Sequence, residues 1–232
     1  MMKPMRILFL LFSFVFFWAQ AALCQDAPRT PNANKASPKL SLDEVINRVE
    51  RRYAATGFEA RFFQVSTITA MDITDTATGL IFVKRPGMMR WEYQKPEPQT
   101  IITDGSTLWI YRPEDQQVMI GKAPDFFRNG KGAGFLSDIR LLRNKFYITL
   151  SNELQNDSYL LKLLPIEQTF DLSLIHLLIS TKTFEIVRIV TYNSYDDKTR
   201  IDLNNIQFHQ NLDDALFTFK IPEGTEILHL DE

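Results

Sequence analysis

Residues 79–111 read GLIFVKRPGMMRWEYQKPEPQTIITDGSTLWIY, and their rhythm decides the fold. Side chains of a strand alternate between its two faces, so Met89, Trp91 and Tyr93 share one face while Arg90, Glu92 and Gln94 share the other. Tight breaks interrupt the apolar material at Arg85-Pro-Gly87, Pro96-Glu-Pro98 and Asp104-Gly-Ser106. Connections this short join antiparallel neighbours and leave no room for helical crossovers. The pattern continues outward on both sides. Candidate strands cover 58–68, 76–84, 89–94, 99–103, 107–111, 117–120, 145–151, 158–164, 172–181, 185–193 and 199–207. About eleven strands in succession are more than an open twisted sheet holds flat, so an antiparallel, strongly curled sheet is expected.

Two segments break the period of two. Ser41-Leu-Asp-Glu44 is a capping box, followed at helical spacing by Leu42, Val45, Ile46, Val49 and Tyr53, with Gly57 placed to cap the C-terminus. Ala123–Phe127 and Phe135–Leu142 are apolar enough for short helices, joined by a glycine-rich stretch over 128–134. Helices over 41–56 and 126–142 on the concave side of the sheet complete the expected architecture, mainly β with some α.

Lys3 and Arg6 precede an apolar run over 7–19 that is short for a membrane span of about 20 residues. Ala19-Gln-Ala21 supplies small residues for a signal peptidase, and Ala22-Leu-Cys24 offers a second cleavage point. Residues 1–21 are therefore read as a signal peptide, with an uncleaved anchor as the alternative. Cys24 invites acylation, but Leu23 stands where a small residue is required. Residues 22–40 contain three prolines and few large apolar side chains, which predicts a disordered tether before a single domain over 41–232.

The 232 residues carry 26 Lys plus Arg against 28 Asp plus Glu, a net charge of −2 that argues against nucleic acid. One cysteine excludes an internal disulfide framework and a cysteine-based zinc site, and three scattered histidines offer little for metal or acid–base chemistry. Gly130-Lys-Gly132 lacks the rest of a phosphate loop, and neither G-x-S-x-G nor H-E-x-x-H occurs. No catalytic residue, metal or cofactor is expected.

What remains is apolar surface. Leu80 to Val83 and Leu108 to Tyr111 are apolar on both strand faces, yet only two helical segments are available as cover. A ligand cavity would account for the excess, and a Met–Trp–Tyr row is an adaptable lining for one. The alternative is an ordinary core face. Arg85, biased to extended geometry before Pro86, could bond carbonyls of a neighbouring loop with its five donors, or simply be a solvated turn residue.

Five fragments occur in order: Phe58-Glu-Ala-Arg-Phe-Phe-Gln64, Gly79-Leu-Ile-Phe-Val-Lys-Arg-Pro-Gly87, Arg90-Trp-Glu-Tyr93, Asp104-Gly-Ser-Thr-Leu-Trp-Ile-Tyr111 and Phe217-Thr-Phe-Lys-Ile-Pro-Glu-Gly224. Together they resemble the outer-membrane lipoprotein carrier family, LolA-like proteins of the Gram-negative periplasm. The resemblance implies an incomplete, eleven-stranded antiparallel barrel with a helical lid. It implies acylated lipoproteins as cargo, an inner-membrane ABC transporter that loads them, a possible outer-membrane acceptor, and a monomer. By motif position Met89, Trp91 and Tyr93 line the acyl cavity, with Phe62 and Phe82 assigned beside them. Phe135 and Leu136 correspond to the lid tip, with Phe126 and Phe127 in the same lid, and Arg85 to the arginine that clasps lid backbone. Met89 stands where relatives often carry an aromatic residue, and the glycines before Phe135 depart from the family's proline-containing lid. Two other roles on the same scaffold are a membrane-anchored acceptor held through Cys24 and an envelope regulator that senses lipoproteins.

Overall fold

The structure, a computed structural model, describes residues 40–54, 57–126, 134–167 and 169–230. The expected signal peptide and tether lie outside the described residues, apart from Leu40. Helix α1 (Leu42–Arg52) opens on the capping box, with the Glu44 amide donating to Ser41 Oγ at 3.3 Å and the Ser41 amide to Glu44 Oε2 at 2.8 Å. Asp43 and Glu44 in the first turn and Arg51 and Arg52 in the last complement the helix dipole. Val45, Ile46 and Val49 are buried. Tyr53, not Gly57, closes the helix. Gly57 instead begins the first strand, where an added Cβ would lie 2.6 Å from the Val83 carbonyl oxygen.

All eleven expected strands are present: β1 (Gly57–Ile68), β2 (Ile73–Lys84), β3 (Met88–Lys95), β4 (Gln99–Thr103), β5 (Thr107–Arg112), β6 (Gln117–Lys122), β7 (Phe146–Leu150), β8 (Ser158–Pro165), β9 (Leu174–Ser180), β10 (Ile186–Tyr192) and β11 (Lys198–His209). A twelfth, β12 (Glu226–His229), is not anticipated by the sequence pattern. They form one sheet in the order β12-β6-β5-β4-β3-β2-β1-β11-β10-β9-β8-β7. Every ladder is antiparallel except β12 on β6, which is parallel, so the expectation of an antiparallel sheet throughout fails at that edge. The chain reaches β6 there after a long excursion from β11 and is free to arrive in either direction.

The sheet curls without closing. Six strands separate β3 from β7 in the order, which laid flat would hold them more than about 30 Å apart. Nevertheless Trp91 of β3 and Phe146 of β7 belong to one buried cluster, together with Val45, Ile46, Val49 and Tyr53 of α1. Tyr53 is wholly buried; its ring meets Phe58 and Phe208 edge-on, and its hydroxyl accepts the Ile186 amide at 3.0 Å. Burial pushes that hydroxyl's pKa far up, so it stays protonated.

The segment between β6 and β7 is not one helix over 126–142. It comprises α2 (Ala123–Phe126), a single 3-10 turn over 134–136 and α3 (Leu141–Lys145); residues 127–133 lie outside the described set. The opposite face of the sheet has its own cover. Phe217 is buried, Phe219 lies 5.2 Å from the Tyr111 ring and 6.5 Å from Trp109, and Arg90 Nη1 donates to the Leu216 carbonyl at 3.2 Å. Part of the apolar excess that pointed to a cavity is thus covered by the chain's own C-terminal segment.

Candidate functional site

Register in the β2–β3 hairpin assigns the faces. The connection Arg85-Pro86-Gly87 pairs Lys84 with Met88, so Val83–Met89, Ile81–Trp91 and Gly79–Tyr93 face one way and Phe82–Arg90 and Leu80–Glu92 the other. Phe62 of β1 stands opposite Gly79. An added Cβ at Gly79 would lie 1.9 Å from the Glu92 carbonyl oxygen and 2.8 Å from Phe62 Cε1, so a close approach of strand and ring requires glycine there. The Phe62 ring packs between Trp91 and Tyr93 with both centroids at 5.0 Å and interplanar angles of 63° and 72°, an edge-to-face geometry favoured by the ring quadrupoles. Tyr93 donates its hydroxyl to Gln64 Oε1 at 3.1 Å, and burial pushes its pKa up to about 12. The row is therefore neutral and apolar at any ordinary pH.

Met89, Trp91 and Phe62 are only 1, 4 and 3% exposed. Their cover includes the segment after residue 133: Phe135 and Leu136 are fully buried in the same cluster, with Ile139 and Leu142 beside them. The structure brings Phe62, Met89, Trp91, Tyr93, Phe135 and Leu136 together in or against one buried cluster. Phe82 does not join them. Paired with Arg90, it lies on the opposite face with Leu80 and Arg61, on a separate recess of about 330 Å³; a strand presents alternate residues to alternate sides, and Phe82 is out of step with Ile81 and Val83. Phe126 ends α2, and Phe127 lies outside the described residues.

Arg85 is half-buried after β2, where its peptide to Pro86 is cis. Burial lowers its pKa, and the Asp138 carboxylate on the covering segment acts against that shift. Asp138 accepts from Arg140 Nε and Nη2, both at 2.8 Å, and from the Arg140 amide at 3.1 Å. The Arg140 bonds, with Arg85 adding its field, hold the Asp138 carboxyl below its ordinary range. Arg85 thus feels both Asp138 and Arg140 of the covering segment, whose opposite charges act on it in opposite directions.

A second fastening escapes a reading of the sequence. Arg143 of α3 donates to Glu50 Oε1 at 2.8 Å, Asn47 Oδ1 at 2.9 Å and Asp43 Oδ1 at 3.0 Å, all on α1. A signal is present: Asp43, Asn47 and Glu50 recur at the spacing that lines one helix face. Arg52 pairs with Glu185 and holds the other end of α1 to the turn before β10. The result is an apolar wall, an apolar cover packed on it and polar fasteners at its margins.

The family model described as outer membrane lipoprotein carrier protein LolA matches residues 54–220. An outer-membrane lipoprotein carrier protein of Azotobacter vinelandii is 26% identical over 188 residues, covering 81% of this chain and 87% of its own. Its namesake in Nitrosomonas europaea is 28% identical over 194 residues, with 84% and 90% covered. Among solved structures, an uncharacterized conserved protein from Thermus thermophilus shares the fold at a TM-score of 0.53 and 15% identity, covering 82% of this chain and 99% of that one.

Proposed function

The chain belongs to the LolA family of outer membrane lipoprotein carriers, and on that premise we propose that it is a periplasmic carrier that holds lipoprotein acyl chains against the Met89–Trp91–Tyr93 row. In this reading it receives them from an inner-membrane ABC transporter and delivers them to the outer membrane. The observation that carries the proposal is the burial of Phe135 and Leu136 in one cluster with Met89 and Trp91.

Acyl burial is worth about 0.8 kcal/mol per CH₂, so a chain of about 15 carbons gains on the order of 12 kcal/mol. Full burial of a large apolar side chain is worth about 1.5–3 kcal/mol. Phe135, Leu136, Ile139 and Leu142, all nearly inaccessible, are together worth on the order of 6–12 kcal/mol. Cargo and cover therefore compete for the same wall at similar strength. Exchange between them runs close to balance, as a carrier that must release its load requires. Extraction from a membrane still needs outside work; the chain has no nucleotide-binding motif, so an ATP-driven partner supplies it.

The test uses the two tryptophans of the domain, Trp91 on the wall and Trp109 on the opposite face. In Trp109→Phe, a brominated fatty acid should quench the remaining Trp91 emission; in Trp91→Phe it should leave Trp109 unquenched. Trp91→Glu should abolish binding of an apolar dye. Equal quenching of both tryptophans, or dye binding undiminished by the glutamate, would remove the cavity from the mechanism.

A further inference from the structure

On the sheet face away from Trp91, positive charge gathers in an acidic protein. Arg200 stands opposite Val65, and Arg188 opposite Asp202 in the β10–β11 ladder, whose next residue outward on that face is Val190, paired with Arg200. Arg188, Arg200, Lys198, His176, Tyr192 and Thr67 line a pocket of about 320 Å³, a volume typical of small-ligand sites. Asp202 is the acid shared by two guanidiniums. It takes the close bond from Arg188, while Arg200 Nε lies 3.3 Å from its other oxygen, buried and without a hydrogen-bond partner among the described residues. Lys162 pairs with His176 across β8 and β9, and burial together with that ammonium lowers the imidazole pKa. Asp202 offsets one of the three cations Arg188, Lys198 and Arg200, and the remaining positive charge leaves room for an anionic group.

The pocket adjoins an exposed apolar end of the sheet. Thr67 leads into the β1–β2 tip, where Ile68, Met71 and Ile73 are 40, 69 and 42% exposed. Lys198 follows the β10–β11 loop, where Tyr195 is 69% exposed. The two loops are tied: Asp197 Oδ1 accepts the Thr69 amide at 2.8 Å, and the Asp196 carbonyl accepts Thr69 Oγ1 at 2.7 Å. A third loop joins them, the Ser194 amide donating to the Phe170 carbonyl at 3.0 Å, with the Phe170 ring 77% exposed. Fixed backbones that present Met, Ile, Tyr and Phe to water beside an anion pocket match the two layers of a phospholipid surface, phosphate outside and hydrocarbon beneath.

We propose that this end of the molecule docks on a phospholipid bilayer, with a headgroup phosphate held by Arg188, Lys198 and Arg200 and the Ile68–Ile73 tip and Tyr195 resting in the interface. A free anion would use the pocket without the tip. The anion pocket is separate from the acyl wall, because Val65, Arg188, Val190 and Arg200 lie on the other face of the sheet from Phe62 and Trp91. The test is flotation of the chain, expressed with its own leader and purified from the periplasmic fraction, with vesicles of phosphatidylethanolamine and phosphatidylglycerol, in the presence and absence of inorganic phosphate. Lys198→Gln should weaken vesicle binding about fivefold, and Met71→Asp about tenfold or more; both positions are exposed, and an unchanged circular dichroism melt checks the fold. Weakening in both variants supports docking. Absence of flotation, flotation indifferent to either variant, or phosphate binding without vesicle binding would overturn it.

Discussion

Phe135→Ala separates a lid from a piece of core. Phe135 is completely buried, and truncating such a residue costs about 3–5 kcal/mol where the surroundings are rigid. If the segment from residue 134 lifts as a unit, that loss falls on closure. The open population then rises at least about 10²-fold, at 1.4 kcal/mol per decade, while global stability falls only until closure itself is exhausted. Because a ligand that needs the open form binds in proportion to its population, apparent affinity for an apolar dye should tighten by up to about the same factor. Hydrogen exchange resolved by mass spectrometry checks the location of the loss. Amides over 135–145 should exchange much faster, with those of β1 and β11 nearly unchanged, and the urea midpoint should shift by less than the full cost. A midpoint that absorbs the whole loss of about 3–5 kcal/mol, with uniform loss of protection and no gain in dye affinity, would show that Phe135 is structural core and would refute the closure argument.

Arg85→Leu should load cargo normally but slow its transfer to acceptor vesicles, because the covered, empty state loses a charge partner for Asp138; unchanged transfer kinetics would take Arg85 out of the mechanism. Gly79→Ala forces Glu92 and Phe62 to move and should destabilise by about 3 kcal/mol or more, read as a lowered denaturation midpoint. Asp138 has a folded pKa below its ordinary value near 3.8, so its contribution is present above that value and fades as pH falls through the lower, folded one. Lid protection followed by exchange between pH 5 and pH 2 should therefore decline, and Asp138→Asn should flatten that decline.

The strands are legible because alternation and short turns are local properties: 79–111 alone contains β3, β4, half of β2 and most of β5 with their connections. β12 is not, since its four residues are all exposed and carry no alternation. Faces within a strand are readable, but faces between strands depend on hairpin register. Sequence alone groups Phe82 with Trp91 because nothing in the composition of Arg85-Pro-Gly87 fixes that Lys84 meets Met88. Apolar content suggests a helical lid, yet the lid's burial rests on isolated side chains around one 3-10 turn, which have no period to detect. Similarly, Phe217 and Phe219 cover the opposite face from a largely irregular segment, so a count of uncovered apolar surface made from sequence comes out too high. Arg143 is invisible for the complementary reason: its partners on α1 lie about 93–100 residues away in the chain.

Lys145 ends α3 and Phe146 begins β7 with no residue between. β7 is an edge strand held by a single ladder of five pairs with β8. If the covering segment lifts as the proposed carrier requires, it is therefore hinged on a strand secured on one side only, and raising it would tug that strand outward. In that mechanism aperture and girth would be one degree of freedom: a bulkier load that props the flap higher would also widen the slit through which it sits, without asking the long central strands to yield.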